Sequence, residues 1–442
     1  MRGMADTNPA GRNAAAVQGA TRQAALACIG RLMASRNSGG GVDGVDGVGG
    51  TGGAGDARSP LDALTHIANV LAEGEMSDHV WIVDSAVAEA APRSSARPRR
   101  SRRASLPSAV ATWFQPSPAR ERPLLYLLHS PTLRGVLTAG VEAMGLGAGI
   151  EAAPNNVNNA NDAADVATLR GRREPAGTLR RGIFLNDAAL WSPDRLKRVR
   201  PELPLWLAAQ PEWLPYDPAS AQELHALLCA ALDALYVQGE SGFCYLSAHD
   251  VPSIEGPPLG PADAHDAFRG MYRLRALPGT HPPYVIRLCG AGRALANVLE
   301  AARWLQLDWG VACEVWSCPS YTRLAREAGD AGRMAMLHGE STARVPHVMR
   351  CLGDGRAPVL AVTGYARHIA NQIGAFVPAR FAALGSDDTD ALGGKDEGGE
   401  SLKSGDTPGV RWIVLNALRL LVSDGVLPRE RIAEATRRYG VV

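Results

Sequence analysis

The sequence predicts an α/β protein built on mostly parallel sheets, and three observations carry that expectation. Short apolar, β-rich runs recur along the chain, at 80–83, 182–185, 243–246 and 284–288. Between them lie stretches whose apolar residues keep helical spacing, as Leu61, Leu64, Ile67, Ala68 and Leu71 do. Such alternation is what parallel sheets with covering helices require. The chain has 442 residues, 46% of them apolar and 21% charged, which is ordinary for a soluble globular protein and allows two to three domains.

Taken in order, residues 15–36 can form one helix, and residues 37–58 are a Gly/Val/Asp low-complexity linker expected to be flexible. A helix over 61–73 follows, then the strand-like Val80-Trp81-Ile82-Val83. Residues 92–104 hold a run of arginines ahead of Ser105. With no aromatic residue interleaved, the run reads as a solvated basic loop rather than a phosphate-binding surface. An Asn/Ala/Asp-rich stretch, 154–178, reads as a second surface insertion. From Arg181 the pattern firms: a strand over 182–185, a long helix over 219–235, a strand over 243–246, a Pro/Gly-rich connection over 252–262 and a helix entering 270–274. The apolar run 284–288 leads into the turn Cys289-Gly290-Ala291-Gly292. The last α/β unit joins Trp412-Ile413-Val414-Leu415 to a helix over 429–438, and the Gly/Asp/Lys/Ser-rich residues 386–409 are expected to be disordered.

Composition narrows the function classes. A formal net charge of +1 lacks the electrostatic footprint of a nucleic-acid binder. No apolar run approaches the length of a membrane span. The amino terminus has no charged segment followed by an apolar one, so no secretory signal is expected and the expected compartment is the cytoplasm. The seven cysteines, at 28, 229, 244, 289, 313, 318 and 351, form no C-x-x-C pair and read as reduced thiols. Asp217 before Pro218 reads as a helix start, with a capping acceptor and a proline near the first turn.

Several motifs taken together resemble one family. They are Tyr216-Asp217-Pro218-Ala219 with Glu223, the run 305–311, Ser320-Tyr321-Thr322, Met336-Leu337-His338 and Thr363-Gly364-Tyr365. In this pattern the chain is similar to the homodimeric type of pyruvate dehydrogenase, in its decarboxylating component. That family has three α/β domains, which bind the cofactor diphosphate, bind its pyrimidine ring, and form a carboxy-terminal transketolase-like unit. The resemblance covers the second and third only. It implies two doubly wound domains, a thiamine-diphosphate-binding fold over 59–255 and a transketolase-like fold over 256–442, after an amino-terminal region of 1–58.

The resemblance also implies a site. The stretch 137–149 matches the family's glycine-rich helix, where a glutamate hydrogen-bonds the pyrimidine ring of thiamine diphosphate. A carboxyl suits that task because it shares a proton with a ring nitrogen in a dry pocket. The matching position here is Ala143, and Glu142 lies one residue earlier, about 100° around a helix. Glu142 is therefore the catalytic candidate, with Gly140, Glu142 and Gly145 as cofactor-binding candidates. His338 is a candidate for the substrate channel.

The family's histidine loop falls at 199–204, where this chain has no histidine. Its Gly-Asp-Gly, followed downstream by Asn-Asn, holds magnesium through oxygen ligands. Here Gly353-Asp354-Gly355 lies in the carboxy-terminal part, without the downstream pair. Thiamine diphosphate and magnesium are thus implied by the family but are not expected to be held by this chain alone. The implied partners are a second copy or a chain carrying the diphosphate domain, and a lipoyl acyltransferase as acyl acceptor. Two functions stay open: part of a 2-oxo acid decarboxylase, or a catalytically inactive paralogue serving as a dimerising scaffold or regulatory subunit.

Overall fold

The structure, a computed structural model, describes residues 9–37, 59–84, 123–128, 181–186, 203–250, 259–277, 283–339, 344–353, 355, 357–388 and 407–440. Two five-stranded sheets organise them. The first contains β1 (Trp81–Asp84), β2 (Leu124–Leu128), β3 (Arg181–Asn186), β4 (Trp213–Tyr216) and β5 (Gly242–Ser247). They lie in the order β1-β2-β3-β5-β4, and every neighbouring pair is parallel. The second contains β6 (Tyr272–Arg275), β7 (Val285–Gly290), β8 (Ala312–Ser317), β9 (Val359–Val362) and β10 (Phe381–Leu384). Its order is β10-β9-β7-β8-β6, parallel except for β6, which runs antiparallel along β8 at the edge.

Strand alternation sorts the side chains into faces. On one face of the first sheet, Ile82, Leu125, Leu127, Ile183, Leu185, Cys244 and Leu246 join a core closed by four helices. These are α1 (Pro9–Asn37), α2 (Pro60–Ala72), α4 (Ala221–Leu232) and α5 (Pro261–Phe268). The other face carries an aromatic trio, with Phe184 and Trp213 centroids 4.7 Å apart and Trp213 and Phe243 5.2 Å apart. Helix α3 (Leu203–Ala209) leads into β4. A π-turn, Asp233–Val237, extends α4.

Helices cover both faces of the second sheet, which makes it doubly wound. Ile286, Leu288, Val315, Leu360 and Val362 pack with α6 (Ala294–Trp309), α10 (Val410–Ser423) and α11 (Glu430–Arg438). Cys289, Trp316, Val359 and Ala361 pack with α7 (Tyr321–His338), α8 (His347–Leu352) and α9 (His368–Asn371).

The expected helices over 15–36, 61–73 and 429–438 are present as α1, α2 and α11, and the expected strands as β1, β3, β5 and β7. The run Trp412-Ile413-Val414-Leu415 is corrected: it lies inside α10, not in a strand. Its apolar residues continue at helical spacing through Ala417, Leu418 and Leu421, all buried, so the run is one face of a core helix. Strands β2 and β4 were not anticipated. The helix expected to enter 270–274 stops at Phe268, and Gly270, at φ +116°, turns the chain into edge strand β6. The segments 92–104, 154–178 and most of 386–409 lie outside the described residues.

Candidate functional site at the junction of the two sheets

In open α/β sheets, ligand sites form outside the carboxyl ends of strands. Here the carboxyl ends of β4, β5, β7, β8 and β9 converge on one segment, Tyr216-Asp217-Pro218-Ala219. The Asp217 N–H donates to the Pro319 carbonyl beyond β8 at 2.7 Å, and the Gly292 N–H beyond β7 donates to the Asp217 carbonyl at 3.0 Å. The Ser247 hydroxyl, ending β5, donates to Asp217 Oδ1 at 2.6 Å. The carboxylate lies against the α-carbon of Gly292, where a Cβ would overlap it, and Gly292 has φ +50°. Backbone geometry and close approach both call for glycine there.

Asp217 is half-buried as a residue, but its carboxyl is enclosed between Ser247 and Gly292. Burial pushes its pKa up to about 6, against the opposing pull of the Ser247 hydrogen bond; nearby Glu223 raises it and Arg293 lowers it.

Glu223 is the second joint. Ser220 caps α4, its hydroxyl accepting the Glu223 N–H at 3.1 Å. This corrects the expectation that Asp217 supplies the capping acceptor. Glu223 reaches back to accept the Ala219 N–H at 2.7 Å. Its other oxygen accepts the hydroxyls of Tyr272 on β6 at 2.7 Å and Ser317 at the end of β8 at 2.5 Å. The carboxyl is buried and held above its usual range, chiefly by burial. Tyr216 extends the seam: its hydroxyl donates to the Phe268 carbonyl at 2.8 Å and accepts from Arg323 at 3.0 Å.

Beyond β5, His249 is buried, and burial, then Arg293, depress its imidazole to about 4, so it is neutral near pH 7. The Pro218 carbonyl favours the charged ring, at a geometry short of a hydrogen bond. Among the described residues neither ring nitrogen, nor Arg293 Nε, has a hydrogen-bond partner. Sequence reasoning did not single out His249, Arg293, Ser247, Ser317 or Tyr272. The available signal was polar residues placed directly after apolar strand runs.

Two cavities bear on the junction. One of about 20 Å³ adjoins Asp217, Tyr245, Thr363 and Tyr365 and has room for a single water. A cleft of about 610 Å³ lies at the opposite end of β5, walled by Gly242, Arg269, Arg323, Glu240, Glu327 and Met334. It is the larger, but it sits at the amino end of β5, and two of its arginines are already engaged, Arg269 with Glu327 at 2.5 Å and Arg323 over the Phe268 ring at 4.2 Å. Strand topology therefore favours the junction as the reference point of the site.

Gly140, Glu142, Ala143 and Gly145 lie outside the described residues. His338 is the exposed last residue of α7, while Ser320, Tyr321 and Thr322 at that helix's start are the ones at the junction. The rise along α7 separates the two ends by about 25 Å, so the geometry does not bring His338 there. Among the described residues no three of His, Cys, Asp and Glu are grouped as metal ligands. Gly353 ends α8 and Gly355 has φ +68°, so both serve turns. No helix among the described residues is long and apolar enough to cross a membrane.

Residues 270–389 match the transketolase-like TK C-terminal domain family. The chain is 35% identical over 235 residues to the pyruvate dehydrogenase E1 component of Cupriavidus necator, covering 53% of this chain and 26% of that protein. It is 32% identical over 234 residues to the E1 component of Haemophilus influenzae, covering 52% and 26%. The matched stretch therefore spans about a quarter of those relatives' own length. In fold the chain is similar to transketolase from Leishmania mexicana, with a TM-score of 0.50 at 12% identity over 84% of this chain and 47% of that one.

Proposed function

We propose that this chain, a relative of pyruvate dehydrogenase E1 components through its carboxy-terminal half, is the pyrimidine-side and carboxy-terminal portion of a thiamine-diphosphate-dependent 2-oxo acid decarboxylase. A separate chain would supply the diphosphate domain, and a lipoyl acyltransferase would accept the acyl group. The supporting observation is the junction itself. Asp217 and Glu223 fix the strand carboxyl ends of one sheet against those of the other, the arrangement a cofactor bridging domains needs. The pyrimidine contact would have to come from Glu142, flanked by Gly140 and Gly145, and His338 would serve only at the rim.

A second reading, an inactive paralogue acting as a dimerising scaffold or regulatory subunit, is favoured by Ala143 standing where the resemblance asks for an acid. Calorimetric titration with thiamine diphosphate and magnesium separates the two, run on the chain alone and with a diphosphate-domain chain. The first reading expects binding only with the partner, and 2-oxo-acid-dependent dye reduction that is lost in Glu142→Ala. Unchanged activity in that variant removes Glu142 from the mechanism. No binding in either arm leaves the scaffold reading.

A further inference from the structure

Away from the junction, helix α1 is seated on α4 through a thiol-imidazole cluster. His225 Nε2 lies 3.0 Å from the Leu32 carbonyl of α1, so it carries the ring proton and Nδ1 presents a lone pair. Cys229 Sγ faces that Nδ1 at 3.9 Å, one turn along α4. One turn back from Leu32 on α1 is Cys28. Gly239 faces Gln18 while His225 meets Leu32, so the two helices run antiparallel; the two steps then point the same way and set Cys28 opposite Cys229. In a parallel pair the sulfurs would be about 12 Å out of step. Proximity to Cys229 is the second-largest cause raising the Cys28 thiol, after burial, which agrees with the antiparallel arrangement. The small residues Ala24 and Ala25 on α1 are buried beside Cys28, allowing close approach. Cys28 is fully buried and Cys229 half-buried, and both are reduced. No metal-ligand grouping of three His, Cys, Asp or Glu is present among the described residues.

We propose that Cys229 and Cys28 are an oxidisable thiol pair, with His225 as the base, whose disulfide staples the amino-terminal helix to the first domain. The oxidant is a hydroperoxide. His225 Nδ1 takes the Cys229 proton; the thiolate attacks the peroxide, an S–O bond forms, the O–O bond breaks, and the leaving alkoxide or hydroxide takes up that proton. Cys28 then attacks the sulfenic sulfur: the S–S bond forms, the S–O bond breaks, and hydroxide leaves with the Cys28 proton as water. Overall, two thiols and one hydroperoxide give one disulfide, one alcohol (water when the oxidant is hydrogen peroxide) and one water. The helix carrying Cys28 is joined to the rest through the Gly-rich residues 38–58, so the staple would set whether α1 stays docked.

Cys351 supplies an internal control. It is also half-buried and near a histidine, but its sulfur is 3.9 and 3.8 Å from the two ring nitrogens of His347. Near-equal distances put the sulfur between the two nitrogens rather than along either lone pair, and those nitrogens already meet Arg350 at 3.2 Å and the Met271 carbonyl at 2.7 Å.

The test treats the full chain with hydrogen peroxide, blocks remaining thiols, and maps tryptic peptides without reductant. The expected product is the Cys28 peptide joined to the Cys229 peptide, two hydrogens lighter than their sum. In Cys28→Ser, dimedone should label Cys229 at least tenfold faster than Cys351, and His225→Gln should slow that labelling at least tenfold at unchanged circular dichroism. No Cys28–Cys229 peptide in the wild-type map, or equal labelling of Cys229 and Cys351, overturns the proposal. The wild-type map decides even where a variant folds poorly.

Discussion

Asp217 and Glu223 lie six residues apart and turn their carboxyls into the same seam, but their titrations carry different consequences. Asp217 is raised from 3.8 to about 6, so the folded state binds its proton more tightly than the unfolded chain does. Its contribution is fully present below about pH 4 and is lost as pH rises through about 6. Asp217→Asn cannot titrate and keeps an acceptor for Ser247. Its stability relative to wild type should therefore rise between about pH 4 and 7, by about 1–2 kcal/mol after allowance for screening at a half-buried residue, as read by urea denaturation. Glu223→Ala would strand the Ser317 and Tyr272 hydroxyls and the Ala219 N–H at once, and should cost about 3–5 kcal/mol. Gly292→Ala should destabilise by about 2 kcal/mol because its Cβ meets the Asp217 carboxylate at positive φ. Pairing it with Asp217→Ala relieves the overlap, so the double variant should lose less than the sum.

At the scale of elements, α3 and β4 are held by an arginine far along the chain. Arg326 of α7 donates to the carbonyls of Ala208 at 2.9 Å, Gln210 at 2.7 Å and Trp213 at 2.5 Å, satisfying the end of α3 and the turn into β4. The guanidinium reaches these carbonyls from two separated nitrogens, Nη1 and Nη2, whereas an ammonium offers its donors from a single point. Arg326→Lys should speed amide exchange across 203–216 with little change in α10. Such ties explain which elements were legible. Helix α2 was readable because its apolar stripe is local; in the structure Ser59 caps it, its hydroxyl accepting the Asp62 N–H at 3.1 Å. Strand β4 was not, because its four residues include a proline and its pairing depends on β5. The run at 412–415 misled because four apolar residues suit a buried strand or a buried helix equally.

For the whole molecule, the first core depends on a helix separated from it by the linker. Ala25, Cys28 and Leu32 are fully buried in that core. Removing residues 1–37 should therefore lower the thermal midpoint and raise binding of a hydrophobic dye. The sequence by itself determined the alternation of strands and helices and the likeness to pyruvate dehydrogenase E1 components, because periodicity and short motifs are written in neighbouring residues. Tertiary structure alone decided that Glu223 meets Tyr272 and Ser317, 49 and 94 residues away, and that α1 docks on α4. A carboxylate's partner is fixed by which buried hydroxyl needs an acceptor once the sheets are packed, and no local pattern encodes that.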